Sequence, residues 1–216
     1  MAAVAIVCTG GGSVAPHVRA KLPAGALVIA ADSGLHIANE LGLPVDAVVG
    51  DLDSVAAEAL EAAVAGGARV DRFPTDKDAT DFELALDAAV QAGVEQIVVV
   101  GGSGGRLDHL LANLMLLASP LVVEAYLGDA TVAVARAGTS VAIEGALNSF
   151  VTLIPVGGDA RGVTTEGLRW RLRDDTLPFG ASRGVSNELI EPSATVSLAD
   201  GVLLVIQPDS GTGVSS

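Results

Sequence analysis

Short apolar runs rich in β-branched residues alternate with longer Ala- and Leu-rich stretches through the first 125 residues. That is the texture of βα units arranged around a mostly parallel sheet. Strands are expected at 4–8, 26–31, 47–50, 69–73 and 96–100, with helices between them. Phe82, Leu86, Ala89 and Val90 fall at helical spacing after Asp78, and Leu107, Leu110, Leu111, Leu114 and Leu117 make a broader apolar stripe after a glycine-rich loop. From about residue 122 the period changes. VVEAYLGDATVAVARAG reads as two strands around Gly128 and Asp129, and NSFVTLIPV, GVTTEGLRW and TVSLADGVLLVIQP continue as strands with turn signals between them. No long helical stripe follows Leu117. The pattern predicts an α/β N-terminal domain over 1–125 with a mostly parallel sheet, then an all-β, sandwich-like domain over 126–208. The closing strand is expected near 202–206 and a loose tail at 209–216.

Composition narrows the class. The chain has 216 residues, half of them hydrophobic, enough for one sizeable core or two small ones. A formal charge of -14 offers no basic surface to displace counterions from nucleic acid, and suits a cationic ligand better. The single cysteine, Cys8, lies in an apolar run and reads as a small buried hydrophobe, which fits a reducing cytoplasm. The apolar stretch at 2–8 is too short for a signal sequence, and no run approaches the ~20 residues of a membrane helix. A soluble cytoplasmic protein without membrane partners is expected.

Seven aspartates stand in four segments where apolar runs end: ALVIAADSG (Asp32), VVGDLDS (Asp51, Asp53), PTDKDATDFE (Asp76, Asp78, Asp81) and GGSGGRLDH (Asp108). In an alternating β/α domain the strand C-terminal ends form a common rim where ligands bind. Carboxylates gathered there repel one another unless a cation lies among them. Mg2+ takes hard oxygen ligands and shares its sphere with phosphates and water. The chain therefore reads as a magnesium-dependent, phosphate-handling enzyme.

Plainer readings exist for each motif. Asp53 could cap a helix starting near Ser54, and Asp78 with Asp81 could be helix-start chemistry alone. Neither explains Asp51, Asp76 or Lys77. Lys77 is suited to meet a phosphate, with Asp81 meeting the cation. GGSGGRLDH follows a strand and precedes a helix, so Gly104 and Gly105 can bring backbone N–H groups toward an anion, beside Arg106, Asp108 and His109. It is neither the P-loop nor the Rossmann pattern. CTGGGS, after the first strand, is a second glycine loop. No further His or Cys stands at zinc-ligand spacing from His109. Trp170, the only tryptophan, either faces a ligand or fills the second domain's core.

Taken in order, ADSG, GDLDS, PTDKDATDFE, GGSGGRLDH and the later GLRW and VSNE closely resemble the thiamine pyrophosphokinase family through nearly the whole chain. The resemblance implies an α/β catalytic domain followed by a β-sandwich, a homodimer with sites between subunits, and Mg2+-dependent transfer of pyrophosphate from ATP to the thiamine hydroxyl. Carried over by motif, Asp51, Asp53 and Asp81 would hold the metal. Asp32, Asp78, Thr80, Gly104, Gly105, Arg106 and His109 would line the nucleotide side. Trp170 would stack on thiamine, with Ser186 and Asn187 near its ring. Leu52 stands where the family often has Phe, and Ser33 where Gly is common.

The expected chemistry is attack of an alcohol on the β-phosphorus with AMP leaving, which depends mainly on in-line positioning and charge neutralisation. Lys77 and Arg106 would neutralise charge beside Mg2+, and Asp81 or Asp108 would take the hydroxyl proton. Two alternatives are a pyrophosphokinase for another heterocyclic alcohol, such as a pterin, and a noncatalytic nucleotide or thiamine sensor.

Overall fold

The run VAIVCT forms β1 (Val4–Thr9), buried at every position after the first. A strand covered on both faces needs this continuous apolar sequence rather than an alternating one. Parallel partners follow: β2 (Leu27–Ala31), β3 (Ala47–Gly50), β4 (Arg69–Arg72) and β5 (Gln96–Gly101), in the order β5-β1-β2-β3-β4. This computed structural model describes residues 2–208, so the tail expected at 209–216 lies outside the described residues. The five strands start within one residue of the expected positions, with β3 coinciding.

From β1 the chain steps outward to β4, then returns to place β5 on the other side of β1. Such a reversal leaves a crevice at the C-terminal ends of the two strands where direction switches, here β1 and β5. The crossovers carry α1 (Gly34–Glu40), α2 (Ala57–Ala65) and α3 (Asp81–Gln91), and α4 (Leu107–Leu116) follows β5. At Gly34 a Cβ would collide with the Cys8 carbonyl, so glycine lets the start of α1 lie against the end of β1. Cys8 is fully buried, and burial pushes its thiol up to about 12, leaving it an inert apolar group.

α3 buries Phe82, Ala85, Leu86 and Ala89, while Val90, expected in the stripe, is exposed. The leucine stripe of α4 departs further from expectation: the helix buries none of its residues, and only Leu117, beyond its end, reaches a core. Apolar positions spread too widely round that helix for one packed face to cover. A 3-10 turn at Pro16–Lys21 also escaped the periodicity, being too short to show one.

The second unit is antiparallel. After β6 (Val122–Leu127) come β7 (Ala130–Arg136), β8 (Ser140–Glu144), β9 (Phe150–Pro155), β10 (Ala160–Glu166), β11 (Asp175–Leu177), β12 (Asn187–Glu188), β13 (Ser193–Ser197) and β14 (Val202–Gln207). They form two layers, β12-β9-β14-β7 and β11-β10-β13-β8. Val151, Leu153, Leu203 and Val205 of the first meet Val163, Leu177, Ala194 and Val196 of the second in one core. β9 shows why: its residues alternate, with Val151, Leu153 and Pro155 inward and Phe150 and Ile154 outward. The short β8, β11 and β12 were not anticipated, because strands of two to five residues give almost no period. Arg136 donates to the carbonyls of Val122, Leu117 and Ser119, the last at 2.5 Å, and so satisfies the chain leaving α4.

The compact units do not meet at one boundary in sequence. The first runs to Leu116 and takes back Ala125–Gly128, whereas the second comprises Leu117–Glu124 and the chain from Asp129. β6 is divided between them, where texture alone placed a single change near 125. Among the described residues no helix is long and apolar enough to cross a membrane.

Candidate active site

Two loops leave the sheet in backbone conformations that side chains rarely adopt. After β2, Asp32 takes φ 44°, and after β3, Leu52 takes φ 65°. A left-handed leucine costs about 1–3 kcal/mol and persists only where its surroundings over-determine it. Leu52 is buried among Ala30, Leu35, Val48 and Ala68, and this anchoring leaves its two neighbours, Asp51 and Asp53, beside the same cavity. Asp32, Asp51 and Asp53 each offer a carboxylate oxygen within 4.8 Å of the others. The kink at Leu52, rather than the alternation of an extended chain, thus brings Asp51 and Asp53 to one side. Asp53 does not cap α2, which starts three residues after Ser54 behind Ala56, with no side-chain cap; Asp53 accepts from the Ser54 hydroxyl at 2.9 Å.

The acids are held against their own repulsion. Asp32 Oδ1 is buried without a hydrogen-bond partner. Burial raises the Asp32 pKa, a backbone N–H of Ser33 opposes the shift, and the charges of Asp81, Asp53 and Asp51 add to it. Gly50, at φ 146°, is where the groups converge: a Cβ there would lie 2.9 Å from Asp81 Oδ1 and 3.3 Å from Asp32 Cβ. Lys77 answers this charge. Its Nζ donates to Asp51 Oδ2 at 3.2 Å and lies 3.1 Å from Asp81 Oδ1, a contact that is ionic rather than a directed hydrogen bond. Burial alone would lower the ammonium's pKa, but the pull of Asp81 and Asp51 outweighs it and the pKa rises. Burial likewise pushes Asp51 up, and Lys77 brings it below the ordinary carboxylate value.

Thr80, not Asp78, caps α3, accepting from the Glu83 N–H at 3.2 Å. Thr75, Lys77 and Ala79 face the cavity, whereas the exposed Asp76 and Asp78 between them do not. Asp78, which the resemblance put on the nucleotide side, is therefore not among the residues lining this cavity. Across the crevice, the glycine loops after β1 and β5 are tied backbone to backbone: Gly102 N–H donates to Gly10 O at 3.2 Å and Gly104 N–H to Gly11 O at 2.7 Å. At Gly102 a Cβ would collide with Gly11, so no other residue permits the approach.

The cavity between these loops and the acids is about 600 Å3. Asp32, Asp51, Asp53, Lys77, Thr80 and Asp81 line it on one side, and Gly104, Gly105, Arg106 and His109 on the other. Asp108 is not in the lining. Its carboxylate makes a two-pronged pair with Arg106, at 2.6 and 3.1 Å, on the open surface, where that partner holds its pKa down at about 2. Sequence reasoning missed Thr9, Ser33 and Asn113 in the wall. Asn113, whose Nδ2 reaches Thr9 Oγ1 at 3.5 Å, was legible as the residue one turn after His109 on α4.

In the second unit Trp170 is 56% exposed and absent from the core, so the core-filling option does not hold. Its backbone is clamped by the buried Asn187, whose Oδ1 accepts from the Trp170 N–H at 3.0 Å and whose Nδ2 donates to the Trp170 carbonyl at 2.9 Å. The same Oδ1 accepts from the Glu188 N–H. Asn187 is thus occupied in holding Trp170. Ser186 sits at φ 58° with its N–H on Thr152 Oγ1.

Comparison with known proteins agrees along the chain. A model described as thiamin pyrophosphokinase, catalytic domain, matches residues 20–126, and one described as its vitamin B1 binding domain matches 140–203. Thiamine pyrophosphokinase of Bacillus subtilis is 27% identical over 212 residues, covering 96% of this chain and 99% of that protein. A crystal structure of thiamine pyrophosphokinase from the same species superposes with a TM-score of 0.78 at 26% identity, covering 97% of this chain and 99% of the other. One from Geobacillus thermodenitrificans gives 0.76 at 29% identity, covering 98% and 99%. With the α/β unit, the sandwich and both matched domains in the same order, the chain belongs to the thiamine pyrophosphokinase family.

Proposed function

We propose that the cavity of the first unit binds the phosphates of ATP with Mg2+, and that the chain transfers the β,γ-pyrophosphate to the thiamine hydroxyl, giving thiamine diphosphate and AMP. The observation that carries this reading is the acidic trio with the unpartnered buried Oδ1 of Asp32, facing a glycine-walled cavity. Hard carboxylate oxygens fit Mg2+ by their chemistry, and Asp32 joins the expected Asp51 and Asp53 as a holder of the ion. Bound there, Mg2+ would supply charge neutralisation for the transferring group. Asp81 contributes beside them through its pairing with Lys77.

The chain's own residues do the rest. The loops at Gly10 and Gly104 let backbone groups approach an anion without side-chain interference. Arg106 and His109 add donors on that side. The phosphoryl transition state is loose and asks mainly for alignment, so the proton acceptor matters less than position. Asp108, held at about 2 by Arg106, is a weak base and is better placed to orient that guanidinium than to accept a proton. Trp170 offers an exposed indole for the thiazolium cation, with a rigid backbone beneath it. Asn187 acts through Trp170, and Ser186 lies on the same β12 approach.

A second copy of the chain is part of the proposal: Leu107, Leu111 and Met115 stand one turn apart along α4 and are exposed. Light scattering on the purified protein should give twice the chain mass. The deciding assay supplies thiamine, ATP and Mg2+ and follows products. Thiamine diphosphate and AMP in equal amounts are expected. ADP with thiamine monophosphate would make the protein a simple kinase, and tight binding without product would make it a sensor.

A further inference from the structure

We infer that Lys77 stands in for a second divalent cation, so that the site takes one metal ion of its own and carries the other positive centre in its sequence. This rests on the metal reading above. Four carboxylates meet here, those of Asp32, Asp51, Asp53 and Asp81, but only three come together as a set of oxygens within 4.8 Å. The fourth, Asp81, faces the Lys77 ammonium instead, at 3.1 Å. Asp51 belongs to both groups, since its Oδ2 accepts from the same ammonium at 3.2 Å. One carboxylate shared between two cationic positions, each completed by further acids, is the layout of paired-metal sites, where two ions clamp a transferring phosphoryl group.

The lysine is enclosed, with 14% of its side chain exposed, against 12% and 24% for the acids it joins. Exposed ion pairs exchange partners with solvent readily, whereas enclosed ones keep their geometry. An ammonium has three N–H donors. Asp51 takes one of them and Asp81 lies against the same ammonium as an ionic partner, so donor capacity remains for an oxygen in the cavity it lines. A metal ion bridging Asp51 and Asp81 would present the same two features: carboxylates behind it and an open valence in front. Charge arithmetic points the same way. Four carboxylates balance two divalent ions, or one divalent ion and Lys77 with a single negative charge left over. Lys77 is thus a positioning residue that fixes Asp51 and Asp81 in the absence of substrate and limits the metal count.

Mn2+ titration of the full-length protein followed by EPR, without nucleotide or thiamine, tests this. The wild type and Lys77→Arg should bind one Mn2+ per chain. Lys77→Met, which keeps the stem and removes the charge, should bind two, and the second should vanish again in Lys77→Met/Asp81→Asn. In the metal-free state Lys77→Met should melt at a lower temperature than the wild type and recover more on adding Mg2+. Lys77→Gln serves as the neutral variant if circular dichroism shows Lys77→Met unfolded. One Mn2+ in the neutral variant at unchanged affinity would overturn the inference while leaving the metal reading intact. No Mn2+ bound by any variant, up to millimolar metal, would sink both.

Discussion

Four carboxylates converge on the cavity of the first unit with one ammonium among them, whereas the second unit sets a single exposed indole on a clamp of neutral amide groups. The first arrangement is costly as it stands, electrostatically in an unpartnered carboxylate oxygen and sterically in a leucine held at φ 65° and in the close backbone approach at Gly102. The second costs little, since every polar atom of the Asn187 amide that touches Trp170 is satisfied and the ring is left to solvent. A site that stabilises developing charge must hold its charged groups in place before substrate arrives. A site that only recognises a ring needs a fixed backbone and an open face. Changes in the acidic cluster of the first unit should therefore fall on kcat and on metal binding, and changes at Trp170 on the KM for thiamine alone.

The largest effect tests the first half of that contrast. Asp51→Asn and Asp53→Asn should each lower kcat by at least ~10²-fold with the protein still folded, because each removes an anionic ligand from a charge-neutralising site. Steady-state kinetics with a melting curve checks both. Near-normal turnover would return these aspartates to a structural role. Next, Trp170→Ala should raise the KM for thiamine by roughly 5- to 30-fold, the equivalent of ~1–2 kcal/mol of stacking and cation–π attraction. The KM for ATP and the melting temperature should hardly move, since the ring is exposed. A matching rise in the KM for ATP would erase the division of labour between the two regions.

The same contrast governs what could be read from the sequence. Parallel strands buried on both faces appear as uninterrupted apolar runs, so β1, β2, β3 and β5 were legible almost to the residue, whereas β4, RVDR at the sheet edge with no buried residue, was legible only from its place in the βα alternation. Asp51 and Asp53 were legible because two acids at a strand exit are more than a cap requires. The trio itself was not. Asp32 joins it in place of Asp81 only because Gly50 lets Asp32 and Asp81 crowd together and Lys77 draws Asp81 into an ion pair. These are contacts across three crossovers, and no local period records them. Asp78 read as a cap on propensity, yet Thr80 holds the Glu83 N–H, since one residue's shift in a helix start changes which oxygen reaches it. Asn187 carried the family's expectation of a ligand contact, and the structure adds a second use that no pattern announced, since its Oδ1 and an Nδ2 N–H hold the Trp170 backbone.

A smaller effect separates the buried and exposed ion pairs within the first unit. Arg106 and Asp108 are 71% and 62% exposed, against 14% and 12% for Lys77 and Asp51. Solvent screens the outer pair. Asp108→Asn should therefore cost roughly 3- to 10-fold in kcat/KM for ATP, through a less fixed guanidinium, with kcat at saturation little changed. The pH dependence has a definite sign: the folded pKa is depressed to about 2, so any stabilisation from Asp108 is present above the ordinary carboxylate range and is lost only as the pH falls toward 2. Activity lost between pH 7 and 5 should persist in the variant. A ~10²-fold loss of kcat would instead make Asp108 the proton acceptor.

The smallest effect is a gain of stability. Asp32 has its pKa raised by burial and by Asp81, Asp53 and Asp51, so its charge opposes folding. That opposition is absent below the ordinary carboxylate range, where the group is protonated in both states, and grows as the pH rises through it. Asn keeps the shape, removes the charge, and places a donor where Asp32 Oδ1 lacks a partner. Metal-free Asp32→Asn should melt ~2–4 °C above the wild type at pH 7.5, the two should converge near pH 4, and the rise that Mg2+ gives the wild type should be lost. Activity should fall while stability rises, the exchange expected where a site keeps charges together for chemistry rather than for folding. A variant that melts lower and still responds to Mg2+ would show that the buried carboxylate is satisfied within the fold. The contrast with the neutral clamp at Trp170 would then lose its first term.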